Sequence, residues 1–280
     1  MAKNKSKPDR EYITSLERGL SVLRCFSREE PEMTISEISA VVGLNPAVVR
    51  RCLHTLLRLG YIGKQGKLFL LRPQAMSLGS AFLESMDVEE TFRPTLQELS
   101  DKTGDTTSLA VLTDYDIMFL VYVSTVHTIH HYVGVGQRIP AYITAMGRAL
   151  LAFRPKDELD NFMQELDLKI YTEKTIPSKA RLKQVLKQVN KLGYACAQGE
   201  MDPNIISLAV PVFGHDGEAV AAINCSTTTV RMEKEAMIAT RLGPLREAAK
   251  KIEVELRRHP LLTHSISSRS WGDSLKTLTK

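Results

Sequence analysis

The feature that most restricts this chain is a run of punctuation at 43–46, where Gly43, Leu44, Asn45 and Pro46 separate two short amphipathic stretches. Gly43 supplies the positive φ on which helices end, and Asn45 followed by Pro46 is an N-cap with its first helical residue. Upstream, Thr34 and Glu37 have the spacing of a capping box, and Ile35, Ile38 and Val42 form one helical face over 34–42. Downstream, Val49, Leu53, Leu56 and Leu57 give the next helix an inward face before Gly60 ends it. Two short helices joined by so tight a turn predict a helix-turn-helix. A helix over 12–27 precedes it, with Thr14 or Ser15 as N-cap and Leu16, Leu20, Leu23 and Phe26 on one face. Strands at 61–63 and 67–71, turning at Gln65 and Gly66, follow as a wing.

Charge gives this motif a partner. Residues 1–73 carry 13 basic and 7 acidic side chains, a balance of +6, whereas the remaining 207 balance at −1. Within 43–73 there are six basic residues (Arg50, Arg51, Arg58, Lys64, Lys67 and Arg72) and no acidic one. A basic surface of one sign is the footprint of a phosphate-backbone binder, whereas an ordinary solvated face mixes signs. The expected partner is double-stranded DNA, with the start of the second helix in the major groove. The expected contacts are Thr34, Asn45, Pro46, Ala47, Val48, Arg50, Arg51, His54, Lys64 and Lys67. Arg50 and Arg51 point about 100° apart on a helix, so one suits a base edge and the other a phosphate. The sequence does not say which. His54 and Thr55, one turn on, fit phosphate contacts better than base edges.

The rest of the chain reads as a second, larger domain. Met76, Leu78, Phe82, Leu83 and Met86 form an apolar stripe that predicts a linker helix over 74–90. Helical signals follow at 91–103, 144–153, 155–165, 178–192 and 233–258, and strand signals at 107–112, 117–124, 129–135, 193–196, 206–213 and 219–225. Hairpin-linked strands with helices grouped outside them imply an α+β domain over 91–258 with a mainly antiparallel sheet. Residues 259–280 turn polar and Ser/Thr-rich and read as a mobile tail.

Several classes of function drop out. No apolar run approaches the roughly 20 residues that span a bilayer. The charged start has no apolar segment behind it, so a cytoplasmic protein without a secretory leader is expected. Cys25, Cys52, Cys196 and Cys225 are scattered, with no close pair for zinc. His127, His130 and His131 have no acidic or cysteine partner nearby in sequence, so no metal and no cofactor are expected. There is no phosphate-cradling lysine loop and no nucleophile elbow, and Gly134 and Gly136 lack a third glycine, so an enzyme is not expected.

The segments SLERGL at 15–20, Val22-Leu23, 35–38, Gly43-Leu44 and 50–61 resemble the DNA-binding domain of IclR-type bacterial transcriptional regulators. Residues 43–61 are most similar to the subgroup controlling breakdown of protocatechuate and 4-hydroxybenzoate through the β-ketoadipate pathway. Further on, Arg138-Ile-Pro140, the AMGRALLA run at 145–152, LGY at 192–194, Glu200 and AVPV at 209–212 resemble the effector-binding domain of the same family. The resemblance covers about 12–258. It implies a winged helix-turn-helix over 12–73, a linker helix that helps pair subunits, a GAF-like domain holding a small organic acid, and a homodimer or tetramer. It carries effector contacts onto Ala145, Met146, Ser207, Asn224 and Ser226, with Met146 standing where smaller residues are common. A helix start offers N–H groups to a carboxylate, and the serines and asparagine add neutral donors. Arg138 and Arg148 are alternative carboxylate partners. The effector, an aromatic acid or a β-ketoadipate-like dicarboxylate, would act through differential affinity for two arrangements of paired DNA-binding domains. The rival reading is a ligand sensor that works through protein partners, which salt-insensitive or absent duplex binding would favour.

Overall fold

The computed structural model describes residues 11–125 and 133–267. The chain divides into two compact units at 82/83.

The first unit opens with α1 (Thr14–Arg24), β1 (Glu32–Met33), α2 (Ile35–Val42) and α3 (Pro46–Arg58), and closes with the hairpin β2 (Ile62–Gln65) and β3 (Leu68–Leu71). Its antiparallel sheet has the order β1-β3-β2. Gly43 ends α2 at φ 66°, which lets Leu44 fold inward and α3 start afresh. Val22, Met33, Ile38, Val49, Leu53 and Ile62 form the core, each almost fully buried. The two-residue β1 has no periodicity to betray it. It exists because Glu32 and Met33 find Leu70 and Phe69 across the sheet.

α1 differs from expectation. Its N-cap is Ile13, which has no side-chain cap, in place of Thr14 or Ser15. Val22 is the fully buried residue, with Leu23 and Phe26 packed beside it, while Leu16 and Leu20 stay 59% and 45% exposed. The helix turns its Val22 side to the core, leaving Tyr12, Ile13, Leu16 and Leu20 as an outward apolar stripe.

Between 73 and 103 the single expected linker is broken up. A 3-10 turn over Pro73–Met76 leads into α4 (Ser77–Ser85), which straddles the division between units. Asp87 then takes a left-handed φ of 48°, and α5 (Val88–Thr103) starts three residues before the helix expected at 91.

The second unit continues with β4 (Thr106–Thr113), β5 (Asp116–Val123), β6 (Arg138–Pro140), α6 (Ala145–Leu151), α7 (Lys156–Glu165) and α8 (Lys179–Leu192). It ends with β7 (Ala195–Gln198), β8 (Ile205–Phe213), β9 (Ala219–Thr228), α9 (Lys234–Arg258) and α10 (Pro260–Ile266). Every strand pair is antiparallel, in the order β6-β5-β4-β9-β8-β7. Ala110, Ala209 and Ala222 on one face meet α6, α7 and α8 in a single core. Their alternates, among them Leu109 and Ile223, turn to the other face, where α5 and α9 pack.

Two further expectations need correction. The strand expected at 129–135 lies mostly outside the described residues, as do His127, His130 and His131, and 133–135 is not strand. The strand that pairs with β5 on the side away from β4 is β6, where Ile139 sits opposite Ile117. The expected tail begins as α10 instead. Pro260 starts that helix, and Leu262 and Ile266, one turn apart, are buried. Thr263 Oγ1 donates to Leu256 O at 2.6 Å, and Ser267 Oγ to Glu218 Oε2 at 2.6 Å. Residues 268–280 lie outside the described residues.

All four cysteines are free. Burial pushes the Cys196 thiol up to about 11 and the Cys225 thiol up to about 12, so neither is poised as a nucleophile. No helix among the described residues is long and apolar enough to cross a membrane.

Candidate nucleic-acid interface and ligand cavity

In the first unit, local hydrogen bonds aim the candidate residues. Thr34 N–H donates to Glu37 Oε2 at 2.7 Å, and Glu37 N–H donates to Thr34 Oγ1 at 3.4 Å. The Thr34 N–H first, and then the Thr34 hydroxyl, which donates to Glu37 Oε2 at 2.9 Å, hold the Glu37 carboxyl below its usual range. Asn45 Oδ1 accepts from Ala47 N–H at 2.9 Å, with Pro46 as the first helical residue. Thr34 and Asn45 therefore serve first as caps. Ala47, Arg50, Arg51, His54, Thr55 and Arg58 are exposed along α3, and Val48 is half-buried.

A groove of about 560 Å³ runs between the start of α2, the α3 flank and the wing. Arg50, His54, Lys64 and Lys67 line it, together with Thr34 and Ser36. Arg51 does not. Among the described residues the groove holds no acidic side chain, and the Lys64 ammonium stands 5.7 Å from the Phe69 ring centroid, a cation–π distance. Ser36 was missed in the sequence. The only signal for it is its place two residues after the capping Thr34, exposed on the first turn of α2.

In the second unit a cavity of about 290 Å³ lies between α6 and the sheet. All five expected effector residues line it: Ala145 and Met146 on the first turn of α6, Ser207 on β8, and Asn224 and Ser226 on β9. Thr144 caps α6 by accepting Gly147 N–H at 2.9 Å. Ser207 and Ser226 sit opposite each other across the sheet. Asn224 is 6% exposed and donates Nδ2–H to Ser207 Oγ at 2.9 Å. Its Oδ1 is buried without a hydrogen bond among the described residues.

Sequence reading missed the rest of this wall. Thr106 and Ser108 on β4 face the cavity beside Ser226 and Asn224, brought there by the β4–β9 register. Their alternation with Ala110 was the available signal. Phe119, Tyr122, Ile139 and Ile143 supply an apolar side. Burial raises the Tyr122 phenol pKa, against the pull of the Thr106 hydroxyl.

Neither alternative arginine is free for a ligand. Arg138 bonds Asp114 at 3.0 Å and Asp116 at 3.1 Å. Arg148, 2% exposed, forks onto Glu200 (Nη1 to Oε1 2.7 Å, Nη2 to Oε2) and donates Nε–H to Tyr142 O at 2.8 Å. Glu200 itself lines the cavity. Thr172 and Thr175 hydroxyls pin the same loop by donating to Gly199 O at 2.6 Å and Glu200 O at 2.7 Å. The described wall thus offers hydroxyl and amide groups beside an apolar face, together with the carboxylates of Glu200 and Asp202, and Arg148, which is not itself part of the wall, holds Glu200 in place. Among the described residues no cluster of three metal-ligating side chains occurs.

Comparison with known proteins assigns both units. Residues 15–66 match the family model for the IclR helix-turn-helix domain, and residues 80–254 match that for the bacterial transcriptional regulator IclR C-terminal domain. The chain is 34% identical over 227 residues to the Pca regulon regulatory protein of Pseudomonas putida, covering 81% of this chain and 78% of that one. It is similar to a solved IclR family transcriptional regulator from Brucella abortus, with TM-score 0.77, 28% identity and coverage of 88% and 94%. The fold is shared with an IclR homologue from Microbacterium hydrocarbonoxydans solved with 4-hydroxybenzoate, with TM-score 0.70, 22% identity and coverage of 87% and 99%. With both domain models matched in order along most of its length, the chain belongs to the IclR family of bacterial transcriptional regulators.

Proposed function

We propose that this regulator binds operator DNA through α3 and the wing, and that an aromatic acid in the second-unit cavity controls the binding, in the service of aromatic catabolism through the β-ketoadipate pathway. The observation that carries the ligand half is the cavity wall, which combines the apolar Phe119, Tyr122, Ile139 and Ile143 with the hydroxyl and amide groups of Ser207, Asn224 and Ser226. A flat ring with a polar group suits that division better than a flexible dicarboxylate does. The homologue solved with 4-hydroxybenzoate supports the same choice, and the relative named for the Pca regulon supports the pathway. Such a protein works in the cytoplasm, where its DNA is.

The test is thermal unfolding in the presence of 4-hydroxybenzoate, protocatechuate and β-ketoadipate. A ligand at 100 times its Kd stabilises the native state by about 2.7 kcal/mol. In a domain of this size that raises the transition by roughly 5–10 °C. A shift with either aromatic acid and none with β-ketoadipate supports the reading. No shift with any of the three overturns the aromatic-acid assignment and leaves the DNA-binding one standing.

We also read the chain as a homodimer or tetramer, supported by the outward stripe of Tyr12, Ile13, Leu16 and Leu20. Sedimentation equilibrium is expected to give a multiple of the 31.3 kDa chain mass. A monomer at micromolar concentration would sink this part.

A further inference from the structure

α3 presents two arginines side by side, and the structure separates them by face. Val49, Leu53 and Leu56 are its buried residues. At 100° per residue, Arg51 points roughly 165° from the centre of that buried face and Arg50 roughly 95° from it. The contacts agree with the angles. Arg50, His54 and Leu57, spaced four and three apart, all line the groove beside the wing. Arg51 shares the next face with Ala47, Thr55 and Arg58, all exposed and none of them in that groove. Neither guanidinium makes a hydrogen bond or ion pair among the described residues, so both stand available to a partner.

A helix about 10–12 Å across nearly fills a major groove about 12 Å wide. The residue opposite the protein body then faces the groove floor, where the base edges are. A residue a quarter-turn round faces a wall, and the walls are phosphate. Ala47, one turn before Arg51 on the same face, is small enough to let the helix approach that floor closely. Arg50 lies on the flank with Lys64 and Lys67, and three cations with no acidic neighbour among the described residues of the groove match a phosphate strand.

We propose that Arg51 reads a guanine edge in the operator while Arg50, with Lys64 and Lys67, grips the phosphate backbone. This rests on the DNA-binding reading above and assigns roles within it. Arg51 then specifies sequence through two parallel N–H bonds to guanine O6 and N7, whereas Arg50 contributes charge and register.

The experiment uses the full-length chain and a library of randomised duplexes, from which wild type is expected to enrich a consensus. Affinity for that consensus and for a mixed-sequence duplex is then measured against salt for R51Q, R50Q and R50K. R51Q is expected to lose roughly 5- to 150-fold discrimination at one guanine-containing position. Its salt slope should change by less than half a counterion. R50Q is expected to weaken both duplexes alike and flatten the slope of log K against log salt by about 0.9, and R50K to restore that slope. Both positions are exposed, so unchanged unfolding transitions exclude misfolding as the cause. If R50Q frees a single base position and R51Q weakens all sequences, the assignment is reversed and falls. If both act uniformly it also falls. A wild-type chain that enriches no consensus and binds no duplex removes the DNA-binding reading and this inference together.

Discussion

Replacing Arg148 with alanine is expected to lower the unfolding transition of the second unit by roughly 6–20 °C, from a loss of about 3–5 kcal/mol. Arg148 is buried, forks onto Glu200 and caps the Tyr142 carbonyl. Truncation strands the Glu200 carboxylate in a nearly dry wall and leaves that carbonyl without its donor. The loss comes from the orphaned charge more than from the pair itself, because burying two ions costs nearly what their attraction returns. R148M/E200L, which removes both charges, is therefore expected to recover most of the stability. Calorimetry that resolves the two units checks this, since one midpoint for a two-unit chain has no clear meaning. A shift under 2 °C for R148A, or a double variant no more stable than R148A, would falsify the account. Function follows from position. Glu200 belongs to the cavity wall, so R148A should also abolish any ligand-induced shift before the unit unfolds.

Gly147→Ala sets two effects against each other. Alanine is preferred to glycine inside a helix by about 1 kcal/mol, which alone predicts a more stable chain. A Cβ at Gly147, however, would overlap the Ala141 carbonyl oxygen and Cα and stand 2.6 Å from its carbonyl carbon. That contact is backbone against backbone, so no rotamer change relieves it, and α6 would have to lift away from the 141–143 turn. Overpacking of this kind costs about 1–3 kcal/mol and at times more. The expected net result is a loss of about 2 kcal/mol, or roughly 4–8 °C in the second unit. Ile143, Ala145 and Met146 move with it, so ligand binding should weaken too. Gly19 in α1 is the control, having nothing within 4 Å of its would-be Cβ. G19A should stabilise the first unit by about 0.5–1 kcal/mol. If G147A matches G19A in sign, the close approach is not what keeps glycine there.

Legibility in the sequence follows the range of the forces. The caps at Thr34 and Asn45 and the turn at Gly43 involve groups three residues apart or fewer, so the residues that make them can be read in order. The start of α8 was readable for the same reason, because the Ser178 side chain accepts from Arg181 N–H three residues on. The family resemblance, and not the pattern alone, pointed to Ser207, Asn224 and Ser226, and strand alternation puts Asn224 and Ser226 on one sheet face. Thr106 and Ser108, which obey the same alternation, went unnoticed because only the β4–β9 pairing sets them against the cavity.

What the chain wrote into its own order was the pair of capped helices, the wing and the concentration of positive charge beside them, because each depends on neighbours along the backbone. Only tertiary structure decided which side of α1 meets the core, that Glu32 and Met33 become a strand, and that Arg148 answers Glu200, 52 residues away. It also decided which of two adjacent arginines lies beside the wing. Those outcomes depend on packing between distant segments, where the free energy of burial belongs to the contact and to neither residue alone.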